Sequence, residues 1–250
     1  MKSTKVYLFC ITALLLFFSF TQYSYAQQEQ KFENLKILPK DIGHDQLIEI
    51  MRNFSRALGV HCEFCHVEEM KDGKEEHDFA SDAKPEKNAA RMMMKMSGAI
   101  NKDYLHTLED KSDDKVSVKC ITCHRGNTEP LMIEDVILDE YNKKGIDSAI
   151  ATYKNLRSEY YGGFTYDFLG GPVMRIVDQL NSDNKSSDAI KMLALADEYF
   201  NGEWWVYMQY GDAYANLNKK DKAIENYNKA ISINPRAGWQ INPKLEKLKK

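Results

Sequence analysis

Two short stretches of the chain hold residues able to do redox chemistry. They are Cys62-Glu63-Phe64-Cys65-His66 and Cys120-Ile121-Thr122-Cys123-His124. Each reads Cys-x-x-Cys-His, the pattern of c-type haem attachment. Two thiols add to the two porphyrin vinyl groups, and two intervening residues let one helical turn present both sulfurs. The histidine that follows lies under the iron and supplies the proximal nitrogen. Other uses of paired cysteines fit less well. A structural disulfide suits an exported protein, and a zinc site of all four cysteines needs the two pairs to converge; both leave the histidines idle. A thioredoxin-like dithiol comes once, in a βαβ setting, and no strand pattern surrounds either pair. The sequence therefore predicts two haem c groups, covalently held by Cys62, Cys65, Cys120 and Cys123, with His66 and His124 as axial ligands.

An iron with one histidine is open for ligands or closed by a second side chain. Two predicted helices offer that side chain. Before the first motif, Leu47, Ile50, Met51, Phe54, Ala57 and Leu58 recur at helical spacing. Asp41 or Asp45 suits its start, and Gly59 suits the position past its end. Met51 sits mid-face, and periodicity alone also allows it to be a core methionine. Before the second motif, Pro85 suits the first turn of a longer helix. Ala89, Met93, Met96, Ile100 and Tyr104 follow one face, Met92 lies beside it, and Met94 is expected to point away. Spacing does not choose among Met92, Met93 and Met96.

These segments resemble the cytochrome c subunit of photosynthetic reaction centres, in particular its smaller diheme relatives. The resemblance runs from about Leu35 to Leu131. It rests on Ile50-Met51 and Ala57-Leu58-Gly59-Val60 leading into the first motif. It rests also on Ala90-Arg91, Met93, Met96 and Ala99-Ile100-Asn101, and on Arg125-Gly126 after the second motif. In that family a helix supplies an axial methionine to each haem unit. The resemblance implies Met51, eleven residues before its cysteine, as the first and Met93 as the second, with Met96 the runner-up. Arg125 is a candidate partner for a haem propionate, because a guanidinium matches a carboxylate; a plain surface arginine fits equally. His44, His61, His77 and His106 read as surface or capping residues, with His106 the best alternative ligand. The large family member has four attachment motifs where this chain has two, so a photosystem partner is not implied.

The remaining sequence sets the frame. With 250 residues, 43% hydrophobic and 28% charged, the chain is globular, of one large or two modest domains. A formal charge of -3 gives no basic excess for nucleic acid. Lys2 and Lys5 precede an uncharged run from Val6 to Phe20, followed by Ser24-Tyr25-Ala26. This is the pattern of a signal peptide cut after Ala26; the run is short of the roughly 20 residues that span a bilayer. Cys10 leaves with it, and the mature chain keeps 32 basic against 37 acidic residues. An acidic surface favours a basic patch on a partner. Val67 to Lys84 and Glu109 to Lys115 read as solvated loops.

From about Ile133 the pattern is helical to the end, without cysteine or histidine. Gly211, Tyr214, Ala223, Tyr227, Ala230 and Pro235 fall at tetratricopeptide offsets. Ala189, Leu193 and Ala196 mark a weaker unit 34 residues earlier, and Ala149, Tyr153 and Leu156 a third, 40 residues before that. Gly162-Gly163 and Gly170-Gly171 are expected to mark turns. Trp204 and Trp205 read either as partner anchors or as buried packing. The fold class is all-α: residues 1–26 a signal peptide, 27–132 a diheme cytochrome c domain, 133–250 a tetratricopeptide-like domain. The functional expectation is a periplasmic electron carrier, not an enzyme, working between redox partner proteins, with no small-molecule substrate. Two alternatives remain: a peroxidase-like oxidoreductase with one open iron, and a cytochrome subunit of a membrane respiratory complex.

Overall fold

A computed structural model of the chain describes residues 32–107 and 116–249. The predicted signal peptide and the Glu109–Lys115 loop lie outside the described residues. The chain divides into two compact units between Thr122 and Cys123. That division falls inside the second cysteine motif.

In the first unit, helix α1 spans His44–Leu58. Its apolar residues at positions 47, 50, 51, 54, 57 and 58 are all shielded, while Arg52, Asn53 and Arg56 face solvent. Gly59 ends it in the left-handed region at φ 68°, its N–H donating to the Ser55 carbonyl; without a Cβ it takes that conformation freely. A single 3₁₀ turn, Cys62–Phe64, carries the first motif.

The stretch read as a solvated loop contains a β-hairpin. Strand β1 is Val67–Lys71 and β2 is Lys74–Asp78, antiparallel, with Met70 opposite Glu75. Asp72 and Gly73 turn the chain at φ 52° and 76°, the doubly left-handed geometry that two-residue hairpins favour. Asp-Gly is a strong hairpin signal, but the flanking residues hide it. They are mostly charged rather than alternating apolar, and Glu69 faces Glu76 and Lys71 faces Lys74. His77 thus sits on a strand.

Helix α2 spans Pro85–Ala99 with Pro85 in its first turn. It runs on through a π-helical turn, Ile100–Tyr104, and a 3₁₀ turn, Leu105–Thr107. Its start is held by the segment before it. Asp78 Oδ1 accepts from the N–H groups of Ala80 and Ser81. Lys87 Nζ donates to the carbonyls of Phe79, Ala80 and Ser81. Asp82 accepts from Lys36 at 2.5 Å, Arg91 at 2.7 Å and Asn34 at 2.8 Å.

Those bonds, Lys36 foremost, hold the Asp82 carboxyl well below the usual carboxylate range, against the effect of burial. A carboxyl depressed in the folded state stabilises fully above its ordinary value of 3.8 and loses that contribution as pH falls below it. Asp82→Asn is therefore expected to lower thermal stability at neutral pH. It should also flatten the decline between about pH 4 and pH 2. Thermal unfolding of both proteins across that range checks this; parallel declines would contradict it.

The second unit is a stack of helices: α3 Cys120–His124, which crosses the division, then α4 Ile133–Lys144 and α5 Ile146–Tyr160. Next come α6 Gly170–Ser182, α7 Ser186–Tyr199, α8 Trp204–Asn216 and α9 Lys220–Ile233. A 3₁₀ turn at Pro235–Ala237 precedes α10 Gly238–Lys249. Helices α4/α5, α6/α7 and α8/α9 pair as hairpins, and α4, α5 and α6 each also touch the helix two places on, as in a solenoid. The small positions of the repeat pattern are fully buried: Ala149, Ala189, Ala196, Ala223 and Ala230. Tyr153, Leu193 and Tyr227 fill the space between helices. Half-buried tyrosines end on aspartates, Tyr141 on Asp188 at 2.9 Å and Tyr210 on Asp197 at 3.0 Å. Gly162 lies in a turn at φ 84°. Gly170 and Gly171 instead open α6, where a Cβ on Gly170 would lie 2.6 Å from the Trp205 ring. Trp205 is buried in that contact and against Phe200.

Candidate functional site

The first motif begins where α1 ends. Val60 N–H donates to Ser55 O, and the 3₁₀ turn is closed by Phe64 N–H to His61 O and Cys65 N–H to Cys62 O. The His66 N–H also reaches Cys62 O at 3.0 Å, so the histidine follows directly in register. Lys84 Nζ donates to the Glu63 carbonyl, which ties the motif to the segment that starts α2. The His66 ring meets Phe79 edge-on at 5.0 Å. Burial first, then Lys87, His77 and Arg91, push the His66 imidazole below its ordinary value. These effects favour the neutral form, the one that ligates a metal. Its Nδ1 is buried without a hydrogen-bond partner among the described residues. Burial pushes the Cys65 thiol up, opposite to the depressed thiol of a redox-active dithiol.

Met51 lies half-buried on the shielded stripe of α1. On α2 the stripe that faces the polypeptide is Ala90, Arg91, Met94, Ser97 and Ile100. Met94 therefore faces inward, contrary to the sequence expectation. Met93 and Met96 remain 43% and 50% exposed, with Met92 beside them. The expectation followed the apolar count, and Arg91 reversed it. Its guanidinium turns toward Asp82 and Asn34 O, carrying its own side of the helix with it.

The second motif is held from both sides. Asn101, at the end of the α2 run, donates through Nδ2 to Val118 O at 2.9 Å and accepts from Val118 N–H at 2.7 Å. This double bond fixes the strand-like lead into Cys120. His106 Nε2 lies 3.0 Å from Ser117 Oγ, a local partner. Helix α3 ends in two left-handed residues, Arg125 at φ 51° and Gly126 at φ 86°. They turn the chain so that Asn127 N–H donates to His124 O at 2.9 Å. The Asn127 carbonyl lies 3.0 Å from His124 Nδ1. A carbonyl only accepts, so Nδ1 carries the proton and Nε2 keeps its lone pair outward. Arg125 Nη2 reaches Met132 Sδ at 3.5 Å, and among the described residues no carboxylate pairs with it. Asn101 was quoted in the resemblance without a role; Asn127 carried no sequence signal at all.

This donor set fits haem. Each motif offers two cysteines and an imidazole whose Nε2 is available, and thioether sulfurs stand on the neighbouring helices. Among its described residues the first unit buries only the apolar side chains of Ile42, Leu47 and Ala57, a thin core that a large apolar group would complete. Among the described residues the one grouping of potential metal-ligating side chains is Glu63, Glu68 and His77, none of them a cysteine. No helix among the described residues is long and apolar enough to cross a membrane.

Comparison with known proteins agrees with this chemistry. The family model of the photosynthetic reaction centre cytochrome C subunit matches residues 27–165, and a tetratricopeptide repeat model matches residues 206–236. The chain is 29% identical over 106 residues to the photosynthetic reaction center cytochrome c subunit of Rubrivivax gelatinosus, covering 40% of this chain and 24% of that one. It is 36% identical over 70 residues to cytochrome c-554 of Chloroflexus aurantiacus, covering 28% of this chain and 14% of that one. The chain thus matches about a quarter or less of the length of these relatives.

Proposed function

The chain belongs to the photosynthetic reaction centre cytochrome C subunit family, and on that footing we propose that it is an exported diheme c-type cytochrome passing single electrons between redox proteins. The observation that carries this reading is that both complete Cys-x-x-Cys-His motifs lie within the family-matched residues 27–165. Cys62 and Cys65 would hold one haem, and Cys120 and Cys123 the other. Bound haem supplies a one-electron ferric/ferrous couple. His66 and Met51 would close the first iron, and His124 and Met93 the second, with Met96 as the alternative sulfur. Two closed irons leave no place for a substrate, so the protein would carry electrons without chemistry of its own.

The orientation of His124 supports the ligand role, since its Nδ1–H is committed to Asn127 O. Arg125, which pairs with no carboxylate among the described residues, would be able to meet a propionate. Residues 27–132 would form the haem domain and 133–250 the helical one. The helical region would dock a partner, a use suggested by its tetratricopeptide match and by the usual role of solenoid surfaces. Export by residues 1–26 would place the protein in the periplasm, where a membrane redox complex is one possible partner.

Redox titration of the purified protein tests the reading. Two one-electron waves per chain, with no rapid carbon monoxide binding to the reduced form, are expected. Uptake of only one electron per chain would refute the two-haem assignment. Rapid carbon monoxide binding would instead mark an open iron and favour peroxidase-like chemistry.

A further inference from the structure

The two histidines of the cysteine motifs differ in what stands behind them. Among the described residues, His66 Nδ1 is buried without a partner. His124 Nδ1 lies on the Asn127 carbonyl at 3.0 Å, and Asn127 is itself held from a distance. Its Nδ2 donates to Tyr166 Oη at 2.7 Å across 39 residues of sequence. Tyr166 is buried, with its ring edge-on to Tyr160 at 5.4 Å. Arg157 secures the same loop by donating to the Phe168 carbonyl at 3.1 Å. A second contact comes from the neighbouring residue. The Cβ position of Gly126 lies 3.3 Å from Thr165 Oγ1, and Gly126 is left-handed at φ 86°. The turn behind His124 is therefore shaped to fit this loop, and any side chain at position 126 would be strained and crowded.

We propose that Tyr166 is a positioning residue for the second haem iron: through Asn127 it fixes the His124 imidazole and makes it a stronger donor. This rests on the reading above that His124 ligates iron. A histidine that donates its distal N–H to a held carbonyl is the more basic ligand. A more basic ligand favours the ferric state and lowers the potential of that iron alone. His66 has no such brace, so the two irons of one chain are tuned differently. The helical region then does more than dock a partner or cap the haem domain, because one of its loops adjusts the redox site.

The test is redox titration of Tyr166→Phe and Asn127→Leu beside the parent. Tyr166→Phe keeps the buried ring and removes only the hydroxyl. Asn127→Leu keeps the backbone carbonyl and removes the anchor. Tyr160→Phe serves as the control, since Tyr160 packs on the Tyr166 ring without touching Asn127. Each of the two test variants is expected to raise one wave and leave the other in place. The shift should correspond to up to about tenfold in the ferric preference, or about 59 mV, with thermal unfolding unchanged in Tyr166→Phe. The control should move neither wave. Two waves that both stay, or both shift, in Tyr166→Phe would overturn the proposal while leaving the two-haem reading intact. A downward shift of one wave would also overturn it. A parent protein that takes up only one electron per chain would instead bring down the underlying reading.

Discussion

Replacing Cys62 and Cys65 together by alanine should unfold most of the N-terminal unit while the C-terminal helices stay intact. The reason lies in where the apolar surface is buried. Among the described residues of the first unit only Ile42, Leu47 and Ala57 are buried apolar residues. A fully buried apolar side chain contributes about 1.5–3 kcal/mol, so three of them fall far short of the cost of ordering a unit of this length. The polar network around Asp82 organises the start of α2 but adds no apolar core. On the proposed reading, haem would supply the missing surface, and the two thioether bonds would keep it there. The second unit stands differently. It buries a continuous apolar cluster from Ile133 on α4 to Ala213 on α8, and a second from Met208 to Leu245. Limited proteolysis of the full-length variant should therefore leave one resistant fragment, beginning after the second motif, with helical circular dichroism to match. A variant that resists proteolysis along both units, without its first haem, would contradict this account of the core.

Gly211→Ala should destabilise the second unit by about 2 kcal/mol, although alanine is the better helix former. Helix propensity alone would favour alanine in α8 by about 1 kcal/mol. Packing reverses the sign. A Cβ at Gly211 would overlap the ring of Tyr227 on α9. That ring has no room to retreat, being 2% exposed. Its hydroxyl donates to Asp212 Oδ1 at 2.6 Å, and Asp212 also accepts from Lys244 of α10 at 2.6 Å. Burial and that bond to Asp212 together push the Tyr227 phenol far above its ordinary range. Moving the ring would pull apart three helices at once. The double variant Gly211→Ala/Tyr227→Leu should lose less than the sum of its parts, since leucine frees the space the new methyl needs. Thermal unfolding of the three variants measures this; additive losses would show that the close approach is not the cause.

What the sequence made readable follows from how local each signal is. The stripe of α1 and its Gly59 cap depend on residues within four positions of each other, and both stand in the structure as periodicity predicts. The repeat in α8 and α9 was readable because small residues recur where helices must touch, and Gly211, Ala223 and Ala230 are buried there. The β1–β2 hairpin escaped because its Asp72-Gly73 turn is flanked by charged residues with no buried face. Met94 was misplaced because a single side chain, Arg91, is held by Asp82 and so fixes which side of α2 turns inward. The role of Gly170 depends on Trp205, which lies far along the chain. The brace on His124 joins Asn127 to Tyr166, a pairing no spacing rule connects. The sequence discloses contacts that a recurring pattern marks, such as those of α8 with α9, and not those that depend on one particular partner residue.

The central claim is that two covalently held haems are each closed by a histidine and a methionine. The oxidised absorption spectrum of the purified protein tests it most directly, with Met51→Ala, Met93→Ala and Met96→Ala beside the parent. Methionine ligation of ferric haem should appear as a weak far-red band. The account predicts that the parent shows this band and that it falls by about half in Met51→Ala and again by about half in Met93→Ala, as two equivalent sites require; it should be unchanged in Met96→Ala. A high-spin parent spectrum without the band would contradict the account.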